Sequence, residues 1–343
     1  MIDGWRVFGR DGVWGRPGLP CAAPEESWDL IRYYYPLSLM DAIYRHPCLE
    51  GPVGFHTGTP RGNIDIVPVE AASYAPYRLI ATVGYNCARP EDLDKLLEAA
   101  GRGATVLIGW PQLSTTTNRA DVLALRHEYL RHPFVVRVAG TPEFTPQHKD
   151  GLPVLVGPGV PSADVLESTD EGMPLIYRVP VGAGSVVFVN AACYPADAAL
   201  KDAWLRVLDR LTSETLAEEP VSVTADENVQ YSVFLQEDGS RHVYLLAVDW
   251  WDPKDTPHRV LFTVGGFTYE IPVPWGVLLK VVTDGRTATW CDSEDGEVLS
   301  VSEAGITVQG AERCTFRVAS GGIVRRYDPD FRSEPVQTIS PET

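Results

Sequence analysis

The feature that most constrains this chain is a change of texture near residue 218. Up to about residue 213, short apolar runs alternate with helical patterns. From about residue 220 helix signals stop, and short strands with alternating apolar positions follow one another. The first texture is that of a layered α/β domain and the second that of an antiparallel β domain. At 343 residues the chain exceeds what one core usually holds, so two domains are expected. The expected divisions are 1–217 for the α/β domain, 218–328 for a β-sandwich, and 329–343 for a loose tail.

Within the first part, "YRLIATVG" (77–84) and "ATVLIGW" (104–110) read as buried strands, apolar on both faces as parallel sheets require. "PEDLDKLLEAAGRG" between them reads as helix: proline and two acids open it, leucines share one face, and glycine closes it. Together they make a βαβ unit and predict a doubly wound, mostly parallel sheet. "RADVLALRHEYLRHP" reads as a helix stopped by Pro133, and "FVVRVAG" as a weak strand. A hairpin is expected around Gly182 and Gly184, then a long amphipathic helix over "ADAALKDAWLRVLDRLTSETL". In the second part, turns at "EDGS", "GG", "PWG" and "DGR" separate seven to nine strands, the pattern of an antiparallel sandwich.

Charge and cysteine spacing narrow the function classes. There are 46 acidic against 29 basic residues, a net charge of −17, which repels phosphate backbones and argues against a nucleic-acid partner. No apolar run approaches the ~18 residues of a membrane helix, and the N-terminus has no signal-peptide pattern. The six cysteines include no CxxC pair, so neither a zinc site nor a disulfide framework is expected. Reduced thiols in a cytoplasmic protein fit this spacing, although Cys291 and Cys314 could pair in an exported one. No cofactor fingerprint follows any strand. "GTPRGN" (58–63) lacks the spacing and the Lys-Ser/Thr pair of a phosphate-binding loop. Asp292, Glu294, Asp295 and Glu297 fall in one turn-like run and read as a solvated loop, with loose calcium binding as the alternative.

Two places carry candidate site residues. The first strand of the βαβ unit ends in "GYN", where doubly wound folds open a crevice. Thr57, Tyr85, Asn86, Cys87, Trp110 and Gln112 are the residues expected to line it. Cys87 lacks the glycine that a strained nucleophile turn needs on its far side, so the expected role is apolar filler; a small hydrolase using Cys87 is the alternative. The second place is the end of "HVYLLAVDWW". Asp249, Trp250 and Trp251 set an acceptor beside aromatic faces, an arrangement suited to sugar hydroxyls and C–H faces, with Trp275 and Trp290 in later turns of the same domain. Nine tryptophans and fourteen tyrosines suit either a sugar-handling surface or a thick β core.

The stretch "YRLIATVGYNCARPEDLDKLLEAAGRGATVLIGWPQLST" resembles a pattern of β-galactosidase-type glycoside hydrolases. There it belongs to the trimerisation domain, which has a glutamine-amidotransferase-like, flavodoxin-type fold. "GAGSVVFVNAACYPADAALKDAWLRVLDRL" is similar to the end of that domain, and "VYLLAVDWW" and "PVPWGVLLKVV" to the small β-sandwich after it. The resemblance runs over most of residues 36–318. In such enzymes the catalytic carboxylates sit on a (β/α)₈ barrel of ~250 residues, for which this sequence has no room before its first α/β elements. It therefore implies an accessory protein without catalytic residues, acting in assembly as a homo-oligomer or beside a separate catalytic glycosidase chain. Carbohydrate contact is the further implication, and a sugar-binding module in another setting is the alternative.

Overall fold

The computed structural model describes residues 2–3, 30, 33–34, 58–65, 67–68, 73–82, 90–113, 130–140, 143–193, 195, 197–226, 228–247 and 256–340. The chain divides into two compact units, residues 1–33 with 66–215 and residues 34–65 with 216–343.

The first unit is built on a five-stranded sheet. Its strands are β1 (Leu79–Ala81), β2 (Thr105–Gly109), β5 (Asp164–Ser168), β6 (Pro174–Val181) and β7 (Gly184–Val189), in the spatial order β1-β2-β7-β6-β5. β1, β2 and β7 run parallel, while β6 and β5 continue the sheet antiparallel. The parallel part follows from helix α1 (Pro90–Gly101), which returns the chain from β1 to β2. Proline opens α1, Glu91 and Asp92 lie in its first turn, and Leu93, Leu96, Ala99 and Ala100 are buried. They pack with Val106, Ile108, Val186 and Phe188. Burying one such leucine contributes roughly 1.5–3 kcal/mol. β3 (Thr145–Lys149) and β4 (Leu152–Val156) form a separate hairpin.

Helix α2 (Pro133–Ala139) corrects the sequence reading. "PFVVRVA" has the β-branched content of a strand, and Pro133 was expected to end a helix. Instead Pro133 begins one, where its missing N–H costs nothing, and His132 caps it: Nδ1 accepts from Phe134 N at 3.2 Å. Burial of Phe134, Val135 and Val138 against α1 and the sheet then outweighs their weak helix propensity. The preceding pattern, 114–129, lies outside the described residues. Helix α3 (Lys201–Ala217) covers the opposite sheet face. Tyr177 and Val179 point to the α1 side, so Arg178 points away from it, and there it pairs with Glu214 of α3.

The second unit is a stack of three sheets, more than the single sandwich expected. Its strands are β8 (Val221–Thr224), β9 (Val229–Leu235), β10 (Arg241–Ala247), β11 (His258–Val264), β12 (Phe267–Val273) and β13 (Leu278–Thr283). β14 (Ala288–Cys291), β15 (Gly296–Ser302), β16 (Gly305–Gly310), β17 (Phe316–Ser320), β18 (Ile323–Tyr327) and β19 (Val336–Ile339) follow. The central sheet has the order β18-β17-β14-β13-β10-β9, all antiparallel. One of its faces buries Val243, Leu245, Val281 and Trp290 against Val260, Phe262 and Ile271 of β8-β11-β12. The other buries Val282, Cys291, Phe316 and Val318 against Val298, Val301, Ile306 and Val308 of β15-β16-β19. Val281 and Val282 thus serve different cores, which is why "LLKVVT" shows no polar face over its second half.

Two segments sit where the sequence did not place them. The ribbon Gly58–Thr59 and Gly62–Asn63 joins the edge of the central sheet through Thr59, opposite Tyr231 of β9. The Asn63 side chain completes the edge by donating to Val233 O at 2.8 Å and accepting from Val233 N at 2.7 Å. The tail read as loose supplies β19, paired with β16, and buries Phe331 and Ile339 in the core beside it.

Candidate functional site

A groove of about 870 Å³ opens in the second unit. It lies at the end of the central sheet where β10 stops and β13 starts, for Leu246 stands opposite Leu278. Its walls combine the aromatic Tyr244 and Trp290 with Leu278, Leu279 and Val298, and with the charged Lys280, Glu297, Asp292 and Arg317. That size and mixture are typical of small-ligand clefts.

The charged groups are preset in pairs. Lys280 lies on the same face of the sheet as its cross-strand neighbour Tyr244, and its Nζ meets Glu297 Oε1 at 2.6 Å. Gln309 Nε2 donates to Glu297 Oε2 at 2.8 Å, fixing the other oxygen. The Lys280 hydrogen bond holds the Glu297 carboxyl below the ordinary carboxylate range, against a smaller opposing effect of burial. In the same lining Arg317 Nε donates to Asp292 Oδ2 at 2.8 Å. The aromatic groups differ in role. Trp290 is 2% exposed and forms part of the core. Tyr244 stacks edge-on against Phe234, ring centres 5.8 Å apart. Trp275, next in sequence to the lining residue Pro274, is 40% exposed. Among the described residues no three His, Cys, Asp or Glu side chains gather as a metal set.

The crevice expected in the first unit is only partly described. Thr57, Tyr85, Asn86 and Cys87 lie outside the described residues. Trp110 and Gln112 are described, and both are buried, so neither lines an open crevice. The chain after β2 turns in a 3-10 helix (Trp110–Leu113) that folds Trp110 back into the core. Its indole packs edge-on to Phe144 and Phe188, and its Nε1 donates to Asn190 Oδ1 at 3.0 Å. Gln112 Oε1 accepts from Gly109 N at 3.0 Å.

Asp249, Trp250 and Trp251 also lie outside the described residues. β10 ends at Ala247, on the end of the sheet that carries the groove, two to four residues before them. Sequence reasoning missed Lys280 and Arg317 as site residues, and gave Asp292 and Glu297 no role beyond a solvated loop or loose calcium binding. The signal for Lys280 was a single charge inside the apolar run "LLKVVT". Asp292 and Glu297 were read as parts of a solvated loop; their partners come from Arg317 and Lys280, on other strands.

No family model matches the chain, and no curated protein matches it. Solved structures do. Gan42B, a GH42 beta-galactosidase from G. stearothermophilus, aligns at 14% identity with a TM-score of 0.43, over 65% of this chain and 34% of its own. The beta-galactosidase from Bacillus circulans sp. alkalophilus aligns at 14% identity and 0.40, over 63% and 34%. The cold-adapted beta-galactosidase from Rahnella sp. R3 aligns at 11% and 0.42, over 65% and 35%. The chain thus spans about a third of the length of these proteins. A likeness this distant assigns no substrate, activity or residue role. No helix among the described residues is long and apolar enough to cross a membrane.

Proposed function

We propose that this chain is an accessory, non-catalytic protein of the glycoside hydrolase kind that holds carbohydrate in the groove of its second unit. The observation that carries the reading is the join of aromatic surface and preset ion pairs in one groove: Tyr244 beside Lys280–Glu297, with Arg317–Asp292 in the same lining and the exposed Trp275 one residue from the lining Pro274. Aromatic faces accept the C–H faces of sugar rings. Paired carboxylates and cations, already ordered, offer acceptors and donors to hydroxyls with little further loss of side-chain freedom. In this reading the α/β unit, of the amidotransferase-like type, serves assembly, as a homo-oligomer or with a separate catalytic glycosidase chain.

Affinity electrophoresis of the full chain tests this, in gels containing soluble galactan, mannan or xylan. Retardation in at least one gel, abolished by Trp275→Ala, supports it. Equal mobility in every gel and in a blank gel refutes it.

A further inference from the structure

Cys291 and Cys314 are free and buried, in the core between the central sheet and β15-β16-β19. Neither is used by the carbohydrate reading, and the argument that follows needs only that the groove reaches Cys291, not what the groove binds. Cys291 ends β14 opposite Phe316, two residues from Cys314, and Asp292 N donates to Thr315 O at 2.9 Å. The two cysteines therefore stand on adjacent backbones, with both thiols in one core.

What covers the thiols is built around them. Gly296 and Gly310 are cross-strand partners in the β15–β16 hairpin. A Cβ at Gly296 would stand 2.6 Å from Cys291 Sγ and 3.0 Å from Cys314 Sγ. A Cβ at Gly310 would stand 2.9 Å from Cys314 Sγ. Gly296 is thus held to glycine by both sulfurs, which crowd one point, and its partner Gly310 by Cys314 Sγ together with the Phe331 ring. Their present partners are weak: Cys291 Sγ meets Ser293 Oγ at 3.6 Å, and Cys314 Sγ meets Ala311 O at 3.7 Å.

We propose that Cys291 and Cys314 are a reversible dithiol–disulfide site, oxidised by a low-molecular-weight disulfide such as oxidised glutathione. Cys291 lines the groove, which is the side from which an oxidant can reach the pair; burial pushes its thiol up, so the attack proceeds through the minor thiolate form. Its thiolate attacks one glutathione sulfur, the glutathione S–S bond breaks, and one glutathione thiolate leaves. The Cys314 thiolate then attacks the Cys291 sulfur of the mixed disulfide and expels the second glutathione. Two protons pass from the protein thiols to the two glutathiones, and two electrons reduce the glutathione disulfide. In a reducing compartment the pair rests as thiols, and in an oxidising one the crosslink ties the end of β14 to the entry of β17.

The test uses the full chain, equilibrated in oxidised or in reduced glutathione. It is then denatured, alkylated, digested and read by mass spectrometry. The expected result is a peptide pair linked through Cys291 and Cys314, lighter by two hydrogens, with alkylation of both falling at least tenfold together. Cys314→Ser should leave Cys291 as a mixed disulfide with glutathione or free for alkylation. Full alkylation of both after equilibration in the oxidant overturns the proposal, as does a bond from either one to a different cysteine.

Discussion

Trp110 and Asn190 hold each other inside the first unit: the indole Nε1 donates to Asn190 Oδ1 at 3.0 Å, and neither residue reaches solvent. Asn190 Nδ2 donates in turn to Gly157 O at 2.6 Å and to Pro174 O at 3.1 Å. One amide therefore ties the end of β7 to the segment after β4, the start of β6 and the turn after β2. Asn190→Leu should strand a buried indole N–H and two carbonyls. The expected cost is at least about 3 kcal/mol, since each of the three unsatisfied groups costs about 1–3. Urea unfolding followed by tryptophan fluorescence checks this, and a midpoint unchanged from the wild type would show that the network carries no stability.

His132→Ala should weaken helix α2. The imidazole caps Phe134 N through Nδ1 and meets Asp94 Oδ1 through Nε2 at 3.1 Å. Loss of an N-cap acceptor costs about 1 kcal/mol. His132→Asn should recover most of this, because its amide oxygen can accept the same bond. Thermal unfolding of both variants separates a capping role from a packing one.

The ribbon on the edge of the central sheet gives a local prediction. Asn63→Ala removes both hydrogen bonds to Val233, so the amide of Val233 should lose protection. Hydrogen exchange at Val233 should speed by about tenfold, the factor that corresponds to ~1.4 kcal/mol for a hydrogen bond lost at an exposed edge. Exchange in α1 and β2 of the first unit should not change.

Acid should weaken the groove at a pH set by Glu297. Its carboxyl is held low by Lys280, so its contribution is present at neutral pH and is lost as pH falls through the folded value. That loss belongs below the ordinary glutamate range of about 4.3. Carbohydrate retention should stay flat from neutral pH down through the ordinary glutamate range and drop only below it, as Glu297 protonates. In Glu297→Gln that acid-side drop should vanish and retention at neutral pH should be weaker. Affinity gels run across this range give the curve.

The elements with strong local signals were legible in the sequence. The proline, the acids and the leucine spacing of α1 mark its start and its buried face, and the glycines at 182 and 184 mark the β6–β7 turn. Gly184 also shows why side-chain pattern alone is insufficient: a Cβ there would overlap Ala104 O, a contact between segments far apart in sequence. "VQTI", in a tail expected to be loose, and "GTPRGN", weighed only as a phosphate-binding loop, carry no local signal for the sheet that accepts each of them. That choice rests on non-local pairing, Val336 with Gln309 and Thr59 with Tyr231. α2 was misread because burial of Phe134 and Val138 overrode local propensity. The groove was illegible for the same reason: Lys280 and Glu297 are seventeen residues apart and meet only once β15 has packed on the central sheet.

Carbohydrate binding at the groove is the central claim, and a calorimetric titration tests it most directly. The probe is an oligosaccharide cut from whichever polysaccharide retards the full chain, titrated into wild type and Trp275→Ala. Trp275 is 40% exposed and lies in neither buried cluster of the second unit, so its removal should cost less stability than the ~3–5 kcal/mol of a core tryptophan. The account predicts saturable binding by the wild type and at least a tenfold weaker Kd for Trp275→Ala. Equal Kd values in the two proteins, or no heat of binding in the wild type, would contradict it.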